Sequence, residues 1–377
     1  MVRKNLSENG FSFLEFLVSL AILIVVIGVP FKIFVHEAKQ TVKELGISKK
    51  TIENIPALEI IRKDIELAGF GLPWNMNGIS YSEATSSGRG LYSFNPTLFN
   101  DSPGNAPRAI VGKKDTIGKQ FSYLVLKGSI FGLNKASMHW TYIDKNNRLN
   151  IWPSNSLANY NNISSGDNVI ILGASDRSLE GGSLYFTISK NADSSDTNPS
   201  DYGLPWLQKS VYLIYGINSS STGAGSLRAP FNRIDYRLYA QTNSPSDCAS
   251  GTYTLARATM RQSSGAVIGH PLLHCVADFQ VYFELDTNGD GVIDNCTQDL
   301  TSFSAKQIRK ELKEVKVFLL VQNGVKDVNY NFPYPTVSVG DNTTVCTPHS
   351  FDMTRIHDYR HYRWKILSVV AVPKNLE

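Results

Sequence analysis

Charge is scarce in this chain. Asp, Glu, Lys and Arg make up 19% of its 377 residues, and the formal net charge is only +4. So nearly neutral a balance gives no electrostatic ground for binding nucleic acid. Cysteine is scarcer, with four residues and no C-x-x-C pair, which argues against a zinc site. Catalytic signatures are missing as well: there is no G-x-G-x-x-G, no G-x-S-x-G and no H-E-x-x-H. Two Gly-Lys pairs fail as phosphate loops. Gly112-Lys113 has Pro107 where the first glycine belongs and Lys114 in place of Ser or Thr, while Gly118-Lys119 has Lys113 and Gln120 there. No nucleophile stands beside a base, so no enzyme activity is expected.

What the chain does have is one long apolar run near its start, 10–29. Within 11–29 fifteen of nineteen residues are apolar and one, Glu15, is charged. Nineteen helical residues reach about 28 Å, the hydrocarbon thickness of a bilayer. Arg3 and Lys4 precede the run and hold that end in the cytoplasm. A secretory signal peptide would have a shorter apolar core and an A-x-A-like site after it; here Pro30, Phe31 and Lys32 follow. A plain single-span anchor would not explain Glu15. A carboxylate inside an apolar span costs a few kcal/mol and calls for a partner. A free amine at Phe11 on a neighbouring molecule would supply one.

The order Gly10, Phe11, three residues, Glu15 and an apolar run closely resembles the class III signal of type IV pilins and secretion pseudopilins. The resemblance implies cleavage after Gly10 by a prepilin peptidase, N-methylation of Phe11 and an assembly role for Glu15. Further on, IIRKDIELAGFG, RIDYRLYA, LARATM and LLHCVADFQVYFELDTNGDGVID resemble the matching points of PilW-type minor pilins. No such match extends over 75–230.

Apolar residues continue at helical spacing after the run. Phe31, Phe34, Ala38, Val42 and Leu45 form one stripe, and Ile52, Ile55, Leu58, Ile61, Ile65 and Ala68 another. Gly46 and Pro56 are expected to interrupt or kink the helix. Glycines 69 and 71 then turn the chain. The stretch 75–119 is rich in Gly, Ser, Asn and Pro and reads as long loops with one short strand. Strand patterns follow at 122–126, 138–143, 149–152, 168–172, 184–188, 211–217, 233–241, 252–260, 276–285, 315–322 and 362–372, with a short helix at 306–312. A hairpin turn is expected at 144–148, and mobile polar loops at 191–200 and 218–226. Ile234, Tyr236, Leu238 and Ala240 alternate onto one face. The last strand, containing ILSVVAV, is too apolar for an open edge and is expected inside the sheet.

Asp286, Asn288 and Asp290 place oxygens at positions 1, 3 and 5 of a calcium loop; Gly291 is at the sharp turn, the Val292 carbonyl at 7 and Asp294 at 9. Thr297 stands where a bidentate Glu belongs, and a strand rather than a helix precedes the loop, so this is no EF-hand. It is either a weak calcium-binding strand turn or an Asx-rich hairpin turn without metal. His270 with His274, and His357 with His361, have i, i+4 spacing but read as surface histidines. The head's aromatics, Trp140, Tyr142, Trp152, Trp206, Tyr212 and Tyr215 among them, suit either a β core or an interface. Cys248, Cys275, Cys296 and Cys346 would face the oxidising side of the membrane, so two disulfides are expected. Of three pairings, Cys248–Cys275 and Cys296–Cys346 are favoured, the first tying neighbouring strands.

The expected fold is α+β and pilin-like: a long N-terminal hydrophobic helix packed on an antiparallel β-sheet, with a large β-rich inserted head. Its parts are a leader at 1–10, a membrane or filament-core helix at 11–29, an amphipathic helix at 30–70, a variable region at 71–230 and a disulfide-bearing β region at 231–377. The resemblance implies a minor pilin that primes or tips a type IV pilus. It would be made as an inner-membrane precursor with its head outside the cytoplasm and later reach the cell surface. Its partners would be other major and minor pilins, the prepilin peptidase, the inner-membrane assembly platform and a tip adhesin. A J-type pseudopilin of type II secretion is the near alternative, and an adhesin whose head binds a surface, glycan or protein is the distant one.

Overall fold

The computed structural model describes residues 13–85, 91–208, 210–219, 227–240 and 245–376, with side chains in 13–53 given at 13, 14, 16–23, 32, 34, 37 and 41. Among the described residues, fourteen strands form three antiparallel sheets. The main sheet contains β1 (Ile110–Lys114), β2 (Ser122–Gly128), β7 (Asn232–Tyr239), β8 (Tyr253–Met260), β9 (Val267–Leu285), β11 (Leu312–Gln322) and β14 (Trp364–Ala371) in that order, with β10 (Asn295–Thr297) paired to β9. A second sheet runs β3 (Trp140–Ile143), β6 (Tyr212–Ser219), β4 (Asp167–Gly173), β5 (Phe186–Thr187). The third pairs β12 (Thr336–Val339) with β13 (His349–Asp352).

Helix α1 (Phe13–Leu67) is assigned without a break through Gly46 and Pro56, where an interruption was expected. Its last turns meet the main sheet. Ala57, Ile61, Ile65 and Ala68 are buried at helical spacing, while Ile55, counted in the same stripe, is exposed. Gly69 and Gly71 follow at φ +88° and +61°. A Cβ on Gly69 would stand 2.6 Å from the Asn375 carbonyl oxygen, so the turn needs glycine for its left-handed backbone and for space. Helix α2 (Ala305–Glu311) starts on a capping box in which Ser304 and Gln307 exchange bonds.

The fold-class expectation is corrected by this architecture. The pilin-like α+β arrangement, with one long hydrophobic helix as its organising rod, gives way to a mostly antiparallel β fold. Among the described residues no helix is long and apolar enough to cross a membrane. The expected span at 11–29 lies partly outside those residues. Among the helix side chains described, those that are buried begin at Asn54.

Other differences have local causes. Among the described residues the last strand pairs only with β11 and ends the sheet, with Ile366, Val370 and Val372 exposed. Its apolar pattern serves one face, where Leu367, Val369 and Ala371 are buried. The segment 149–152 forms a single bridge, Ile143 to Leu149, across a turn in which Asp144 N donates to the Arg148 carbonyl. Strand β9 begins nine residues before the expected 276, because 267–275, which contains Gly269 and Pro271, pairs with β8. Strand β4 is buried on both faces. Val169 and Ile171 pack with Ile214 in a small core, while Ile170 and Leu172 join the main one.

Candidate functional site

At the start of α1 a cluster of large apolar side chains has no cover: Phe13 is 77% exposed, and Leu14, Phe16, Val18, Ile22 and Leu23 are each more than half exposed. Gly10 and Phe11 lie outside the described residues, and so does the side chain of Glu15.

The other end of the helix is pinned. On β8, Arg257 Nε donates to Asp64 Oδ2 at 2.6 Å and its Nη2 to Oδ1 at 3.2 Å. Tyr236, buried on β7, donates its hydroxyl to the same carboxylate. Burial alone would lower the Arg257 pKa; the Asp64 carboxylate outweighs it and raises it. Glu66 accepts from Lys374 Nζ at 3.1 Å, and Asn375 Nδ2 donates to the Glu66 carbonyl at 3.0 Å. The C-terminal segment therefore closes over the helix end.

A buried ionic network was not foreseen. Alternation on β7 marked Ile234, Tyr236, Leu238 and Ala240 as the inward face; Ala240 is exposed, and Arg233 and Asp235 on the opposite face are fully buried too. Arg233 donates to Asp235 through two N–H groups at 2.7 and 2.9 Å, to Asn100 Oδ1 at 2.7 Å and to the Pro96 carbonyl at 3.0 Å. Tyr123 donates to Asp235 at 2.6 Å. Buried Lys127 donates to Asp101 at 2.5 Å and to the Phe99 carbonyl at 3.0 Å, and lies 2.7 Å from Glu83. Arg108 Nε completes the set with a 2.6 Å bond to Asp101. Burial alone would raise the Asp101 pKa; Lys127 and Arg108 outweigh it and hold the carboxyl below its usual range. Three cations balance three carboxylates, and their bonds fasten the glycine- and asparagine-rich loop before β1 onto the sheet. The one available signal was the run of charged residues scattered through a loop otherwise poor in charge.

The candidate calcium loop connects β9 to β10. Its side chains bond to its own backbone: Asp286 accepts from the amides of Gly289 (2.6 Å) and Gly291 (2.9 Å). Asn288 Oδ1 accepts from Asp290 N at 2.9 Å, and Asp290 Oδ1 from Val292 N at 2.8 Å. Asp294 accepts from Thr287 N at 3.0 Å and from its hydroxyl. This is a chain of Asx turns. Among the described residues, the acidic, histidine and cysteine groups that converge closely are Asp247 with Cys248 and Cys275, and Glu284 with Cys296 and Cys346. Both contain disulfides, Cys248–Cys275 and Cys296–Cys346, the pairing favoured above. Their sulfurs are not free to ligate a metal.

His270 and His274 both lie on β9, where four residues extend about 13 Å, too far to share an ion. His274 Nδ1 is 3.0 Å from the Thr254 hydroxyl, and His361 Nδ1 is 3.1 Å from the Tyr330 carbonyl oxygen. His357 is exposed beside Asp358. Sequence reasoning passed over His349, which is buried with Nδ1 2.8 Å from Asp278. Of the aromatics, Trp140 and Trp152 pack at 4.8 Å, and Trp206 is exposed. Compared with family models, curated proteins and solved structures, the chain matches none.

Proposed function

We propose that the chain is a non-catalytic minor pilin, a structural subunit that primes a type IV pilus or occupies its tip. The uncovered apolar cluster at the start of α1, Phe13 to Leu23, is the observation that carries this reading. So many large side chains facing water lose the stabilisation of roughly 1.5–3 kcal/mol that burial of each would bring. A bilayer would cover them in the precursor, and helices of other pilins would do so in the filament. Glu15, neutralised by the Phe11 amine of a neighbour, would set the axial register. The prepilin peptidase would act at the Gly10–Phe11 bond and the inner-membrane platform would receive the product. Two disulfides suit a head that folds outside the cytoplasm.

Mass analysis of the mature protein is expected to place a methylated Phe11 at its N-terminus; any other start removes the basis of the proposal. Glu15→Ala is expected to insert in the membrane normally and to be absent from sheared pili. Normal piliation with the variant incorporated would refute the charge-register mechanism. Loss of protein secretion with pili intact would favour the pseudopilin alternative instead.

A further inference from the structure

A cleft of about 540 Å³ opens between Trp74, the loop before β1 and helix α2. That size falls within the roughly 300–1,000 Å³ usual for small-molecule sites. Its charge is one-sided: Arg108, Lys306 and Arg309 line it against a single carboxylate, Asp101. Asp101 is already committed. It is 6% exposed and accepts from Lys127 and Arg108. Lys306 and Arg309 are therefore left without a counter-charge in the lining.

These two cations stand three residues apart on α2, so their side chains leave neighbouring points on one face of the helix. Ala305 and Ile308 take the buried face. Lys306 is exposed. Arg309 is half-buried, and its guanidinium carbon lies 4.9 Å from the centre of the Trp74 ring. Arg177 approaches the same ring at 5.9 Å. A cation–π contact engages the charge of a guanidinium and leaves its N–H donors unspent. Among the described residues the Arg309 guanidinium makes no hydrogen bond or ion pair, and none of its nitrogens is sealed from solvent. Its donors are thus both unused and reachable. Arg309 differs in this from the other buried arginines. Burial alone would lower the pKa of Arg233 and Arg257, but Asp235 and Asp64 outweigh it and raise both. For Arg309 burial acts without opposition and lowers the pKa. A partly desolvated cation that lacks a counter-charge is costly to keep.

We propose that this cleft binds a small oxyanion ligand, a carboxylate or a phosphate ester, held by Arg309 and Lys306. The planar fork of a guanidinium matches two oxygens of either group, and the ammonium adds a second charge one helical turn away. Phe303 gives the remainder of the ligand an apolar wall, and the exposed Asn105 gives it an amide. No residue of α1 lines the cleft, so this binding function stands or falls independently of the pilin reading.

Calorimetry of the full-length protein in non-ionic detergent at low ionic strength tests it. The probes are D-glucuronate, D-glucose 6-phosphate and inorganic phosphate, with D-glucose as the neutral control. At least one anion is expected to bind at millimolar concentration and D-glucose is not; which anion binds identifies the group as carboxylate or phosphate. Arg309→Gln and Lys306→Gln, both off the buried face of α2, should each weaken binding about tenfold, the effect of one charge-assisted hydrogen bond. Lys310→Gln removes the same charge from an exposed neighbour that does not line the cleft, and should bind like the parent. Absence of binding by all three anions would overturn the proposal. So would equal weakening in Lys310→Gln and Arg309→Gln, which would mark a general attraction to positive charge, or binding of D-glucose as tight as that of the anions.

Discussion

Asp101 ties the loop before β1 to strand β2 and to itself. It pairs with Lys127 from β2 and Arg108 from the loop before β1, while its own amide donates to Glu83 at 2.5 Å. Removing one partner from a buried ion pair leaves the other charge uncompensated, which costs about 3–5 kcal/mol. Asp101→Asn is therefore expected to lower stability by about that much in urea unfolding at neutral pH. The pH dependence has a definite sign. The folded Asp101 pKa is depressed, so its contribution is complete above the unfolded value of about 3.9 and is lost as pH falls through the lower folded value. The destabilisation caused by Asp101→Asn should thus shrink on going from neutral pH to pH below about 3. A difference that stays constant across that range would show that the carboxylate charge is not what stabilises the network.

At the scale of elements, the last turns of α1 are fixed by one carboxylate facing Arg257 and Tyr236. Asp64→Asn should cost about 1–3 kcal/mol while leaving the helical content unchanged, because it removes a partner of a mostly buried guanidinium rather than a helix-forming residue. Urea unfolding with circular dichroism measures both. The β9–β10 loop makes a different prediction. Its carboxylates are spent on amides of the same loop, so calcium must compete with existing bonds, and the twelfth-position carboxylate is missing. Calorimetry of the full-length protein should give binding no tighter than about 10⁻⁴ M, abolished by Asp290→Ala. Absence of heat at millimolar calcium would leave the loop as a structural turn. Strand β14 illustrates how an element's sequence can mislead about its place. An apolar strand with one face buried under a helix can still end a sheet, since side-chain burial and ladder pairing are separate requirements.

Across the whole molecule the two disulfides differ in what they enclose, 27 residues of separation for Cys248–Cys275 and 50 for Cys296–Cys346. Loop-closure entropy assigns each about 2–4 kcal/mol, and about 0.5 kcal/mol more to the longer loop. Serine pairs at each bridge should therefore destabilise in that order in urea. The reverse order would point to packing around Cys275, which is buried in the main sheet, as the larger contribution.

Most strands were legible in the sequence because half-buried strands alternate and two-faced ones form short apolar runs, as β7, β8 and β11 do. The short helix expected at 306–312 is found one residue earlier, as α2, and its Ser304 cap came only with the structure. The start of β9, which carries Gly269 and Pro271, and the short strands β10, β12 and β13 were not legible, since they are strands only because a neighbour pairs with them. The buried ionic network was not legible either, since Asp101 and Lys127 lie 26 positions apart and Arg233 meets Glu83 from a distant segment.

By itself the sequence determined the apolar start with its lone acid, the strand periodicity and the Asx-rich turn, because each depends on residues close together in the chain. Only the tertiary structure decided that β14 ends the sheet and that Arg233 and Asp235 are interior. Those outcomes depend on which distant segments lie against one another, and burial of a polar group is permitted only when a remote partner arrives to satisfy it.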